Sequence, residues 1–266
     1  MSRILNIFKQ LEAKNKTAFI PFITAGDSGL DNSEALVFTL ADSGADIIEL
    51  GMPFSDPMAD GPTIQLSSKR AIKNGVNLDS IFDICFDIRQ TNKNIPIILM
   101  GYYNVILHYG INKFTQKCYS IGIDGLIVVD LQPEEDSELY KSAKDKNIDL
   151  IRLITPTTTD KRLKIISENA SGFLYYITIT GITGKESANI KELENSIKKI
   201  KQFSNLPIVA GFGINNRKNV EDICKSTDGA VVGSSIIKII ENNLNQKEKI
   251  IELINSFIKD LKKGTE

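Results

Sequence analysis

Histidine is nearly missing: His108 is the only one in 266 residues, alongside just three cysteines, Cys85, Cys118 and Cys224. One histidine cannot build a histidine-rich metal centre, and a Ser-His-Asp or Cys-His apparatus would have to use His108. That residue sits in a Tyr-rich stretch with no nucleophile motif beside it and reads as structural. A carboxylate-only site such as Asp56 with Asp60 is the less economical option, so no metal is expected. The cysteines are odd in number, widely spaced and set in helix-like segments, which argues against a disulfide framework or a zinc site and for a reducing, cytoplasmic compartment. An excess of either charge is also lacking: 32 Lys plus Arg against 33 Asp plus Glu leave a formal net charge of −1, with no strong field toward nucleic acid or anionic membrane. Long apolar runs are missing too, since even Ile148–Ile154 is interrupted by Asp149 and Arg152, and no segment reads as membrane-spanning. The opening MSRILNIFKQLEAKNK lacks a signal-peptide pattern and alternates at helical spacing, giving a helix over Ile4–Lys14. No Gly/Ser-rich linker divides the chain, so residues 1–266 are expected to form a single domain.

What the chain does contain is a repeated unit, a short apolar run followed by a longer amphipathic stretch. The expected strands are Phe19–Thr24, Ile47–Leu50, Ile95–Met100, Gly125–Val129, Leu150–Ile154, Phe173–Ile177, Pro207–Ala210 and Ala230–Val232. Helical patterns lie between them, and a last one runs over Lys247–Leu261. Mostly continuous apolar strands suggest burial on both faces of a parallel sheet. Eight such units favour an α/β fold of the (β/α)8 TIM barrel type with an additional N-terminal helix. Small and polar residues follow nearly every apolar run, as in Thr24-Ala25-Gly26-Asp27 and Gly211-Phe212-Gly213. They would collect at the C-terminal rim, where barrels of this kind build their active sites.

The densest chemistry is DIIELGMPFSDPMADGPTIQ, Asp46 to Gln65. An apolar strand delivers Glu49, and a loop stiffened by Pro53, Pro57 and Pro62 carries Ser55, Asp56, Asp60 and Gly61. The plain alternative is a strand-end Glu in a salt bridge and a polar turn. With no usable histidine, acid/base work falls to carboxylates and tyrosines. Glu49 lies between Ile48 and Leu50, so an apolar setting should raise its pKa and let it move protons near neutrality. Asp60, in the polar loop, should stay ionised, giving two carboxyls with different duties.

Three glycine-rich turns, Gly181 to Gly184, Gly211 to Gly213 and Gly233 to Ser235, occupy the last third. Each alone could be a mere tight turn, but barrels often bind phosphate with the loops after strands seven and eight and a helix N-terminus. Gly184, Gly213, Gly233 and Ser234 are the candidate cup. Phe22, Met100, Tyr102, Ile127, Tyr175 and Phe212 share the rim and would line a flat apolar cavity, although any one of them could be core.

These motifs together resemble the tryptophan synthase alpha chain family. ELGMPFSDPMADGPTIQ is similar to the family's signature loop, and IPFITAGD, MGYYN, TGITG, GFGI and VGSSIIKIIE follow in the family's order across nearly the whole chain. Met52, Met58 and Ile127 depart mildly from the family's usual aliphatics. The resemblance implies cleavage of indole-3-glycerol phosphate to indole and glyceraldehyde 3-phosphate, with Glu49 and Asp60 as proton-handling groups. It implies Tyr175 beside the triose, Thr183 ordering its loop over the substrate, and the indole between Phe22, Met100 and Ile127. It further implies no cofactor in this chain and a beta-chain partner that carries pyridoxal phosphate, in an alpha2-beta2 heterotetramer. Pro53, Asp56 and Pro57 are the interface candidates, and the loops Pro53–Asp60 and Ile179–Lys191 the contact and closure elements. A stand-alone lyase, a sugar-phosphate isomerase barrel and a non-catalytic phosphate-binding barrel are the alternatives; the isomerase would lack the Glu49 loop.

Overall fold

A computed structural model describes residues 2–177, 186–211 and 213–266, with only the backbone of 186–189. Its strands are β1 (Ala18–Thr24), β2 (Ile48–Gly51), β3 (Ile97–Gly101), β4 (Gly125–Val128), β5 (Asp149–Leu150), β6 (Arg152–Ile154), β7 (Leu174–Ile177), β8 (Ile208–Gly211) and β9 (Gly229–Val232). All pair in parallel, in the order β5-β4-β3-β2-β1-β9-β8-β7-β6. The described helices are α1 (Arg3–Glu12), α2 (Leu30–Asp42), α3 (Pro62–Lys73), α4 (Leu78–Thr91), α5 (Tyr103–Tyr109), α6 (Ile111–Ile121), α7 (Ser137–Lys144), α8 (Asp160–Glu168), α9 (Glu186–Ile200), α10 (Arg217–Cys224), α11 (Ser234–Glu241) and α12 (Lys247–Lys262). The two ends of that order are joined by the chain, because only Ile151 separates β5 from β6, and its N–H donates to Leu126 C=O at 3.0 Å. The sheet is therefore a closed barrel. The single expected strand Leu150–Ile154 is divided because its first residues pair with β4 and its last with β7.

Two buried clusters account for the apolar strand runs. Alternate residues, among them Ala18 and Ile20, Ile98, Ile127, Phe173 and Tyr175, fill the barrel interior. The intervening ones, such as Phe19, Ile23, Leu99 and Leu174, pack outward against the helices. Helix α1 (Arg3–Glu12) adds Ile4, Phe8 and Leu11 to the interior cluster, and the Phe8 ring meets Phe173 edge-on at 5.7 Å between centroids. Since Ala18, Ile47 and Phe173 stand at or just before strand starts, α1 covers the N-terminal mouth and leaves the C-terminal one open.

Asp124 anchors that cover. Its side chain is 4% exposed; Oδ1 accepts from Arg3 Nη1 at 2.8 Å, and Oδ2 accepts from Arg89 Nη2 at 3.1 Å and Ile97 N at 2.8 Å. Arg89 belongs to helix α4 (Leu78–Thr91), so one carboxylate ties α1, α4 and β3 together. Asp124→Asn removes the charge shared by both guanidiniums and should cost about 1.5–3 kcal/mol, read as a lower urea midpoint with an unchanged slope.

Two helices were not anticipated. The segment after Asp60 forms α3 (Pro62–Lys73), with Gly61 at its N-cap and Pro62 at the favoured first position. Its buried face is Ser67, Ser68 and Ala71, while Leu66 and Ile72 are exposed, so its apolar periodicity is inverted. The stretch after β3 forms a short helix, α5 (Tyr103–Tyr109), and His108 lies on it and not in a loop. The final βα unit contributes α11 (Ser234–Glu241), and α12 (Lys247–Lys262) follows, one residue longer than the expected Lys247–Leu261.

Candidate active site

At the open C-terminal mouth lies a cavity of about 230 Å³. The strand alternation that fills the interior brings Phe22, Glu49, Met100, Tyr175, Gly211 and Val231 to its walls, and Val129, Leu153 and Ile177 complete the apolar side. A wider cleft of about 450 Å³ opens at the other end between Phe8, Lys16 and Leu206, but its carboxylates, Glu12 and Asp228, are exposed or half-buried and partly ion-paired.

Glu49 is the second residue of β2, registered between Phe22 on β1 and Ile98 on β3. It is 1% exposed, and Oε2 has no hydrogen-bond partner among the described residues. An ionised carboxylate there would be desolvated and unpaired, which is costly. Burial, and secondly the charge of Asp60, raises its pKa from 4.5 to about 8. At neutral pH the side chain holds a proton, as the apolar flanks Ile48 and Leu50 led one to expect.

Asp60 lies at the end of the Pro-rich loop, half-buried at the cavity wall. Tyr102 holds it: its hydroxyl donates to Asp60 Oδ2 at 3.0 Å and accepts from Ala59 N at 3.0 Å. The Tyr102 ring stacks on Phe54 at 5.1 Å, pinning the loop at a second point. Burial raises the Asp60 pKa and the Tyr102 hydrogen bond opposes that shift, so the carboxylate expected in a polar loop is half-buried and held in place at the cavity wall.

Gly211 and Gly213 leave the third wall bare. A Cβ on Gly211 would lie 2.3 Å from the Tyr175 hydroxyl, so the phenol occupies the space a side chain would need. Gly213 has φ +39, which favours glycine. Gly233 is the N-cap of α11 and makes no side-chain cap bond, so the first amides of that helix, beside Ser234 at the cavity edge, are open to an anion.

Of the residues singled out in the sequence, Phe22, Glu49, Asp60, Met100, Tyr175, Gly213, Gly233 and Ser234 thus meet around one space. Two sit elsewhere. Ile127 is fully buried in the layer beneath, and Val129, next in the alternation, takes the wall position. Tyr102 lies behind Asp60 and holds the loop without lining the cavity. Thr183, Gly184 and Phe212 fall outside the described residues, as does most of the expected closure loop Ile179–Lys191. Pro53, Asp56 and Pro57 do not line this cavity: the two prolines are half-buried, and Asp56 is exposed and accepts from Ser55 Oγ at 2.5 Å. Val129, Leu153 and Ile177 were missed, although counting in twos from Phe173 and Tyr175 reaches Ile177 directly.

No described helix is long and apolar enough to cross a membrane, and no described group of His, Cys, Asp and Glu is arranged to hold a metal ion. The chain is 43% identical over 264 residues to the tryptophan synthase alpha chain of Geotalea uraniireducens, covering 99% of this chain and 98% of that one. It is 42% identical over 262 residues to that of Petrotoga mobilis, covering 98% and 99%. The crystal structure of tryptophan synthase subunit alpha from Legionella pneumophila superposes with a TM-score of 0.92 at 33% identity, over 100% of this chain and 98% of that one. Residues 8–266 match the family model for the tryptophan synthase alpha chain, and on that match the chain belongs to the tryptophan synthase alpha chain family.

Proposed function

We propose that this chain, acting as a single barrel domain, is a carbon–carbon lyase that cleaves indole-3-glycerol phosphate to indole and glyceraldehyde 3-phosphate, the alpha reaction of tryptophan biosynthesis. The observation that carries the reading is Glu49, a protonated carboxyl whose Oε2 is unpartnered among the described residues and which faces the same cavity as a glycine-lined helix N-terminus.

Glu49 gives its proton to indole C3, which loads positive charge onto the ring nitrogen. It then takes the proton of the hydroxyl on the adjoining glycerol carbon. That carbon becomes the aldehyde, and the electrons of the broken carbon–carbon bond return to the ring and neutralise the nitrogen. Asp60 faces the indole N–H and stabilises the transient charge, or accepts that proton. Phe22 and Met100 flank the ring, and Tyr175 sits toward the triose. The amides at Gly213, Gly233 and Ser234 hold the phosphate, with Gly184 as a further candidate and Thr183 and Phe212 as closing contacts.

The leaving indole is the electron sink, so no cofactor is needed in this chain. Indole is small and apolar and escapes readily, a physical reason for contact with a pyridoxal-phosphate-bearing beta chain in an alpha2-beta2 assembly. Pro53, Asp56 and Pro57 are the proposed contact points, and a cytoplasmic setting follows. The test is indole release from the phosphorylated substrate by the purified chain, with and without a beta chain. A chain that binds this substrate but releases no indole under either condition would point to the non-catalytic barrel.

The cup makes its own prediction. A Cβ on Gly233 would stand 3.1 Å from Phe22 Cδ1, so Gly233→Val crowds both the amides and the ring. KM for the phosphorylated substrate should rise about tenfold, with much less effect on cleavage of the dephosphorylated analogue. Equal losses on the two substrates would move the cup elsewhere.

A further inference from the structure

Asp27, in the loop after β1, has 1% of its side chain exposed, and among the described residues the only side chain bonded to its carboxylate is Arg70. Arg70 donates from Nε to Oδ1 at 2.5 Å and from Nη2 to Oδ2 at 3.1 Å, a bidentate fork. Its third nitrogen, Nη1, donates to Glu241 Oε1 at 3.1 Å. Glu241 is the last residue of α11, where the helix dipole disfavours a carboxylate, so the Arg70 charge offsets an otherwise unfavourable placement.

The face of α3 that carries Arg70 is keyed to the β1 loop at two further points. Ser67 Oγ and Thr24 Oγ1 are 2.6 Å apart, and Asn74 Nδ2 donates to Gly26 C=O at 2.8 Å. Positions 67, 70 and 74 fall on one helical stripe. This explains why α3 buries serine and alanine where an ordinary barrel helix buries leucine.

Both helices that Arg70 joins begin at the cavity: Asp60 and Gly61 precede α3, and Gly233 precedes α11. Arg70 is eight residues beyond Pro62, about 12 Å along the axis. A pivot of roughly 5° about that far end would move the helix start by about 1 Å, and misplacement of that size can cost about 10²-fold in rate.

We propose that Arg70 is a positioning residue that sets the spacing between Asp60 at one end of the cavity and the phosphate cup at the other, by clamping Asp27, α3 and α11 together. The inference rests on the roles given above to Asp60 and the cup. Glu241→Gln loosens only the α11 side: it should raise KM for the phosphorylated substrate about 3–10-fold and leave cleavage of the dephosphorylated analogue within twofold of the parent. Arg70→Lys keeps the charge but cannot span both carboxylates, and should lower kcat on both substrates about tenfold or more. Rates are taken per folded protein, with circular dichroism and urea midpoints measured on the same samples, because a merely structural role would change the midpoint and leave kcat and KM alone. Absence of either result in folded protein overturns the proposal, and should Arg70→Lys fail to fold, the Glu241→Gln split between substrates decides it. Failure of the underlying reading looks different, since there the parent itself releases no indole, or Glu49→Gln is as active as the parent.

Discussion

Glu49→Gln should cut indole release about 10²–10⁴-fold while the protein folds and binds substrate as before. The amide matches the carboxyl in size and can still donate a hydrogen bond, but it cannot give up a proton to C3 and take one back from the hydroxyl. In the parent, the free enzyme needs Glu49 protonated at the first transfer, so kcat/KM should fall as pH rises through about 8, the value to which burial and the Asp60 charge lift this group. An activity within a few-fold of the parent would remove Glu49 from the chemistry.

The same substitution should act on stability with the opposite sign. Between 4.5 and about 8 the folded parent keeps a proton that the unfolded chain releases. Stability is thus full below pH 4.5 and is lost as pH rises through the folded value. The interval corresponds to a ceiling of roughly 5 kcal/mol, of which relaxation and water entry in the real protein should leave a few. Glutamine has no such penalty, so Glu49→Gln should match the parent at pH 5 and exceed it at pH 9 in urea midpoint. A group whose replacement impairs turnover, yet which is destabilising when ionised, is what a proton-shuttling carboxyl requires. A salt-bridged glutamate, the plain reading of this strand end, would show the reverse.

The barrel is legible in the sequence because each strand is buried on both faces and leaves an uninterrupted apolar run, and because the rim residues that follow are small and polar. The same continuity hides which strand residues face inward. Ile127 looks as suitable for the cavity as Met100 until the register sets Met100 opposite Ile127 and carries Val129 one step further toward the rim. Helix α3 is illegible for a related reason. Its inner face makes polar bonds to Thr24, Gly26 and Asp27, so serine, arginine and asparagine occupy positions where periodicity looks for leucine. Glu49 could be found because its flanking residues declare the environment. The partial burial of Asp60 could not, because it depends on Tyr102, forty-two positions away, closing over the loop.

That closure sets up the second large effect. Asp60→Asn preserves the loop's shape and can still accept from the Tyr102 hydroxyl, but it removes the charge that faces the indole nitrogen. Turnover should fall about 10²-fold or more with substrate binding little changed. The partner adds a second dimension, since Asp56 is exposed four residues before Asp60 on the same loop and touches no cavity wall. If contact with a beta chain tightens this loop, the stimulation should be large for the parent and small for Asp60→Asn, where closure delivers no carboxylate to the ring. Asp56→Ala should behave in the contrary way, with near-parent activity alone and little gain from the partner. Indole release by the parent and both variants, each with and without a beta chain, separates these roles in one experiment. Equal stimulation of all three would mean that the loop does not link the two subunits' sites, and a parent indifferent to any beta chain would mark a lyase that works alone.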